Sequence, residues 1–220
     1  MNKAAYFALF ALALLPGCGG SGCCVTTLYV FGDSITWGAD LQAGEEFTCQ
    51  RHETPNPKRM QELGNLTTFN EGRNGARVID VLNGTDGEAC SGVSHLPFAE
   101  QVKKIDGDVL FAYGAAAAVR DEQNFKENYR TLIRIAKAEK KKVFLRELTY
   151  FFEVGGITSE MIARNDAFNE DIRALGIEEN VVVIPVRQIP ATEQDVPDGV
   201  HISQAYSDKV AKMCHDFIVR

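Results

Sequence analysis

The stretch Thr26-Thr27-Leu28-Tyr29-Val30-Phe31-Gly32-Asp33-Ser34-Ile35-Thr36-Trp37-Gly38 decides the fold. Thr26–Phe31 is β-branched, aromatic and aliphatic, the composition of a strand covered on both faces in a parallel sheet. The run stops at Gly32, where a residue without Cβ permits a sharp turn. Asp33 and Ser34 follow at once. Read alone, they form a turn or cap a helix, as Asp and Ser often do. Read as part of an open α/β sheet, they stand at the carboxyl edge of a strand, where such sheets bind ligands.

Further apolar runs at Leu66–Phe69, Val109–Tyr113, Lys142–Leu148 and Val181–Val186 predict four more strands. Helical patterns lie between them. Pro57–Leu63 and Pro97–Ile105 open on proline, which suits a first helical turn. Asn124–Lys141 places Phe125, Tyr129, Leu132, Ile133 and Ala136 at three- and four-residue steps. Thr158–Leu175 ends before Gly176, read as a stop signal, and Gln204–Val219 is a last amphipathic helix. Strands alternating with helices imply right-handed βαβ crossovers. The expected architecture is one three-layer α/β/α domain over residues 25–220, with a mainly parallel five-stranded sheet. Its ligand edge would hold Gly32-Asp33-Ser34, Gly72–Gly75, Gly114–Ala117 and the loop before His201.

A serine hydroxyl is a weak nucleophile and needs a neighbouring base. Asp198-Gly199-Val200-His201 stands just before the last helix. An aspartate three residues before a histidine can accept from the imidazole, fixing its tautomer and stabilising the imidazolium. Of the other three histidines, His52 has no obvious acidic orienter, and His95 and His215 sit in less suggestive settings.

FGDSITWG at 31–38 and DGVH at 198–201 resemble the first and last sequence blocks of the SGNH (GDSL-like) hydrolases. No Gly-x-Ser-x-Gly elbow is present, so the larger α/β-hydrolase family is a poorer match. The resemblance covers essentially residues 25–220. It implies a flavodoxin-like sheet, with Ser34 as nucleophile, His201 as base and Asp198 as its orienter. It also implies an oxyanion hole built from the backbone N–H of Ser34 and a second-block glycine. Asn70-Glu71-Gly72-Arg73-Asn74-Gly75 fits that block, with Gly75 as the candidate donor. The third block departs from the family. Where a Gly-x-Asn-Asp is expected, the chain reads Gly114-Ala115-Ala116-Ala117, so Ala116 stands in place of a side-chain donor. Asn74 is a candidate substitute donor. Restoring the block would take Asn at 116 and Asp at 117 to hold the loop.

The chain has 220 residues, 45% hydrophobic and 24% charged, which suits a globular domain. A net charge of −7 argues against nucleic acid as a partner. Lys3 followed by the apolar run Ala4–Leu15 reads as a signal peptide over 1–17, too short for the about 20 residues that span a bilayer. Leu15-Pro16-Gly17-Cys18 resembles a bacterial lipobox, which implies lipidation of Cys18, a flexible tether over 18–24 and an exported, membrane-anchored lipoprotein. Cysteines at 23, 24, 49, 90 and 214 remain and match no zinc spacing. The last helix should carry Cys214 down beside the first strand, pairing it with Cys23 or Cys24; a Cys49–Cys90 pair is a further option.

The leading expectation is a monomeric serine ester hydrolase acting on a small-molecule or carbohydrate ester, with no metal or organic cofactor. The competing one is a catalytically silent lipoprotein that keeps the fold for binding.

Overall fold

A computed structural model describes residues 25–40, 49–85 and 95–220. The leader at 1–17, Cys18, the tether at 18–24 with Cys23 and Cys24, and Cys90 lie outside the described residues. Five strands form one sheet: β1 (Thr26–Gly32), β2 (Leu66–Gly72), β3 (Asp108–Ala112), β4 (Val143–Arg146) and β5 (Val182–Ile184). Their order is β2-β1-β3-β4-β5, and every pairing is parallel. This is the doubly wound, flavodoxin-like order, whose connections diverge at the carboxyl ends of β1 and β3. Ser34 follows β1 and Gly114 follows β3, so both stand at that divergence.

Strand alternation feeds two apolar layers. Phe31, Val109, Phe111, Val143 and Leu145 point to one face. There they meet α3 (Val78–Asn83), α4 (Phe98–Gln101) and the inner stripe of α6 (Phe125–Ala138), which carries Phe125, Tyr129, Leu132, Ile133 and Ala136. Leu28, Val30, Leu110, Phe144 and Ile184 point to the other face. That side is closed by α1 (Ser34–Trp37), α2 (Asn56–Glu62) and α8 (Gln204–Ile218). The remaining helices are α5 (Ala115–Val119) and α7 (Ser159–Glu178). Each large buried side chain on either face contributes roughly 1.5–3 kcal/mol through removal from water.

Three details depart from the sequence reading. Gly176 does not stop α7, which runs to Glu178; Asn180, at φ 48°, takes the left-handed conformation after it. A Cβ on Gly176 would lie 2.3 Å from Val183 Cγ2, so this glycine lets helix and strand approach. The segment after Pro97 is a short α4 followed by a 3-10 turn at Val102–Lys104. Cys214 is a free thiol, fully buried on the inner face of α8 among Leu28, Val30 and Ile218. The expected bridge from Cys214 to Cys23 or Cys24 is therefore not made. The helix turns the sulfur toward the sheet, and burial pushes its pKa up to about 11. Cys49 is disulfide-bonded.

Candidate active site

Gly32 and Gly72 are paired in register at the carboxyl ends of β1 and β2. The backbone then turns so tightly that a Cβ on Gly72 would sit 2.2 Å from the Trp37 amide nitrogen. Asp33 caps α1, accepting from the Ile35 N–H at 3.2 Å. Ser34 is the first residue of that helix, so its N–H has no intrahelical acceptor.

The Ser34 hydroxyl lies 2.8 Å from His201 Nε2, and His201 Nδ1 lies 2.6 Å from Asp198 Oδ2. A carboxylate can only accept here, so the proton of the neutral ring sits on Nδ1 and Nε2 accepts from the serine. Asp198 Oδ1 also accepts from the N–H groups of Val200, at 2.9 Å, and His201, at 2.7 Å. This local fold requires Gly199 at φ 87°, where a Cβ would meet the carbonyls of Phe152 and Val154 at 2.6 and 2.7 Å. The structure thus joins Ser34, His201 and Asp198, which the sequence separates by up to 167 positions. A serine hydroxyl bonded to an imidazole that is itself held by a carboxylate is an arrangement able to generate a nucleophile.

Burial pushes the Asp198 carboxyl up, but the hydrogen bond and charge of His201 and the two amides outweigh it, leaving the pKa below the ordinary value. The usual unfolded aspartate value is about 3.9. A depressed folded value means that Asp198 contributes stability above the unfolded pKa and loses it as pH falls through the folded one. Urea unfolding followed from about pH 6 to about pH 3 should show a shallower acid decline for Asp198→Asn than for the wild type. Equal declines would show that Asp198 is not held this way.

The second block is braced from several sides. Arg73 N–H donates to the Gly32 carbonyl at 2.8 Å, and its Nη2 donates to Gln101 Oε1 at 2.7 Å. Gly75, the expected donor, adopts φ 71°, and its carbonyl accepts from Arg120 Nη1 at 3.1 Å. Just beyond, the buried Glu122 carboxylate accepts from the N–H groups of Val78 and Ile79, both at 3.0 Å, at the start of α3. Asn74, the candidate substitute donor, is buried.

Sequence reasoning missed Asp33. Beyond capping α1, its Oδ2 accepts from the N–H groups of Gly114, at 3.1 Å, and Ala115, at 2.8 Å. One buried carboxylate thereby fixes the third-block loop against the serine turn. Its signal was adjacency: an acid beside the serine faces the neighbouring strand's carboxyl edge in any sheet that puts β3 next to β1. In the alanine run that follows, Ala116 is 8% exposed, whereas Ala115, Ala117 and Ala118 are 2%, 0% and 0%. His52 also differs from its reading, since Asp40 Oδ1 lies 3.5 Å from its Nδ1.

Residues 30–207 match the sequence pattern of the GDSL-like lipase/acylhydrolase family, and the chain belongs to that family. Solved structures share the fold at low identity. Est24, a carbohydrate acetylesterase from Sinorhizobium meliloti, is 15% identical with a TM-score of 0.70, covering 88% of this chain and 98% of its own. The aryl esterase of M. smegmatis is 14% identical with a TM-score of 0.65 and the same coverages, 88% and 98%. A lipase/acylhydrolase from Enterococcus faecalis is 22% identical with a TM-score of 0.61, covering 88% and 95%. No curated protein matches the sequence.

Proposed function

We propose that this chain is a serine carboxylic-ester hydrolase acting on small acyl esters, with acetyl groups on carbohydrate as the favoured substrate class. The observation that carries the reading is the continuous Ser34–His201–Asp198 contact, at 2.8 and 2.6 Å. Ser34 Oγ attacks the acyl carbonyl carbon while His201 Nε2 takes its proton. The tetrahedral oxyanion is met by the N–H groups of Ser34 and Gly75. As the C–O bond to the alcohol breaks, His201 returns the proton to the leaving oxygen. Water then attacks the acyl-enzyme with the same histidine as base, releasing acid and free serine. The carbohydrate preference rests on likeness to the Sinorhizobium meliloti acetylesterase.

The test is hydrolysis of a chromogenic acetyl ester by the wild type beside Ser34→Ala. Equal rates overturn the reading. Ala116 favours a second reading, a silent binding protein, which predicts no hydrolysis by either form.

We further propose attachment to a bacterial membrane through a lipidated Cys18, supported by the apolar run Ala4–Leu15 and by Gly17 before the cysteine. Mass spectrometry of protein from the native host should find an acylated N-terminal Cys18. A mature chain beginning elsewhere would reject it.

A further inference from the structure

The two halves of the Ser34–His201 pair come from opposite ends of the sequence, and His52 bonds to the residue that ends the serine helix and to the residue after His201. The Ser34 carbonyl accepts from the N–H groups of Gly38 and Ala39, each at 2.9 Å, closing α1. The Gly38 carbonyl in turn accepts from the His52 N–H at 2.8 Å. On its other side, the buried His52 ring places Nε2 2.9 Å from the carbonyl of Ile202, the residue after His201. A carbonyl cannot donate, so His52 Nε2 carries the proton. One residue therefore spans from the cap of the serine helix to the backbone of the histidine loop.

Neighbouring contacts hold the ring in place. Ala39 and Arg51 form an antiparallel bridge, and Arg51 Nε donates to the Trp37 carbonyl at 2.8 Å while its guanidinium stacks over the Trp37 ring. Asp40 stands 3.5 Å from His52 Nδ1, on the side away from Ile202.

We infer that His52 is a positioning residue for the hydrolysis proposed above, setting the separation of Ser34 and His201 through the Ile202 carbonyl. The inference rests on that functional reading. Docking of α8 does not depend on His52. Gln204 Nε2 donates to the Thr54 carbonyl at 2.9 Å, and Asn56 Nδ2 donates to the Ser207 carbonyl at 3.2 Å. Removing the His52 donor leaves these helix contacts in place and takes one anchor from the loop that aims His201, whose flanks are also tied by the Ser203 N–H to the Asp195 carbonyl at 2.8 Å and the Phe152 N–H to the Gly199 carbonyl at 3.1 Å.

His52→Phe keeps a planar ring and loses the donor, whereas His52→Gln keeps a donor on a flexible stem. Since a misplacement of about 1 Å can cost 10²-fold, His52→Phe should lower kcat about tenfold with KM within about twofold, and His52→Gln should stay within about threefold of wild type. A second readout is independent of turnover. The proton between His201 Nδ1 and Asp198 should give a low-field NMR resonance in the wild type and His52→Gln, and a broadened or absent one in His52→Phe. Wild-type kcat and an unchanged resonance in folded His52→Phe overturn the inference. Equal damage in both variants also overturns it, because the donor would then not be what matters. If the wild type and Ser34→Ala hydrolyse esters alike, the functional reading fails, and the resonance alone still decides whether His52 sets the position of His201.

Discussion

Ser34→Ala is expected to lower turnover of an acetyl ester by on the order of 10⁴-fold while leaving KM within a few-fold. The hydroxyl supplies the bond-forming atom, and it stands 2.8 Å from His201 Nε2. Loss of a triad serine elsewhere costs more, about 10⁶-fold, but from a site with its oxyanion donors complete. Here Ala116 supplies no side-chain donor, so the wild type starts lower and the gap narrows. His201→Ala should fall to the same floor. The double variant should be no slower than either single one, because the two groups act as a unit. Steady-state rates against a chromogenic acetate measure this. A loss under tenfold would place the chemistry elsewhere.

Ala116→Asn is expected to raise kcat by about tenfold to a thousandfold, with little change in KM. The oxyanion forms in the transition state and not in the bound ester, so a donor aimed at it acts on the barrier. The structure simplifies the experiment that the sequence suggested. The sequence alone makes Asp at 117 a candidate for holding the loop. Asp33 already holds it through the N–H groups of Gly114 and Ala115. Ala117 is fully buried against the apolar layer that includes Phe125 and Tyr129, where a new carboxylate would be desolvated. Ala116→Asn alone is therefore the cleaner variant, and Ala117→Asp should lower stability. The same substitution in a Ser34→Ala background should gain nothing. An unchanged kcat in Ala116→Asn would show that position 116 does not face the developing charge.

The strands are legible as short continuous apolar runs bounded by breaker residues, and α6 by an apolar period sustained along Phe125–Ala136. The short α1, α3 and α5 were not legible. Four to six residues make less than two turns, too few for a period to appear. Ser34 and His201 could be paired on paper because each sits in a motif with a chemical reason. Asp33, Arg120 and Glu122 could not, since the groups each of them bonds across more than 40 positions are backbone N–H and carbonyl groups. Backbone acceptors and donors carry no residue-type signature, which is also why His52 looked idle. Its two hydrogen bonds go to the Gly38 and Ile202 carbonyls, and Asp40 stands 3.5 Å from its Nδ1.

The 167-residue separation of Ser34 and His201 has a consequence for how the molecule is made. A chain emerging amino end first delivers β1 and its serine early, and the histidine loop and α8 late. Contacts this distant in sequence form slowly, because loop closure must be met before they reward the chain. A partly folded form in which β1 and β3 are paired but α8 is undocked holds its serine without a base. The hydroxyl of a nascent or unravelling molecule is then as inert as any surface serine. In gradual denaturation, detachment of α8 should end hydrolysis while the sheet still gives its spectroscopic signal.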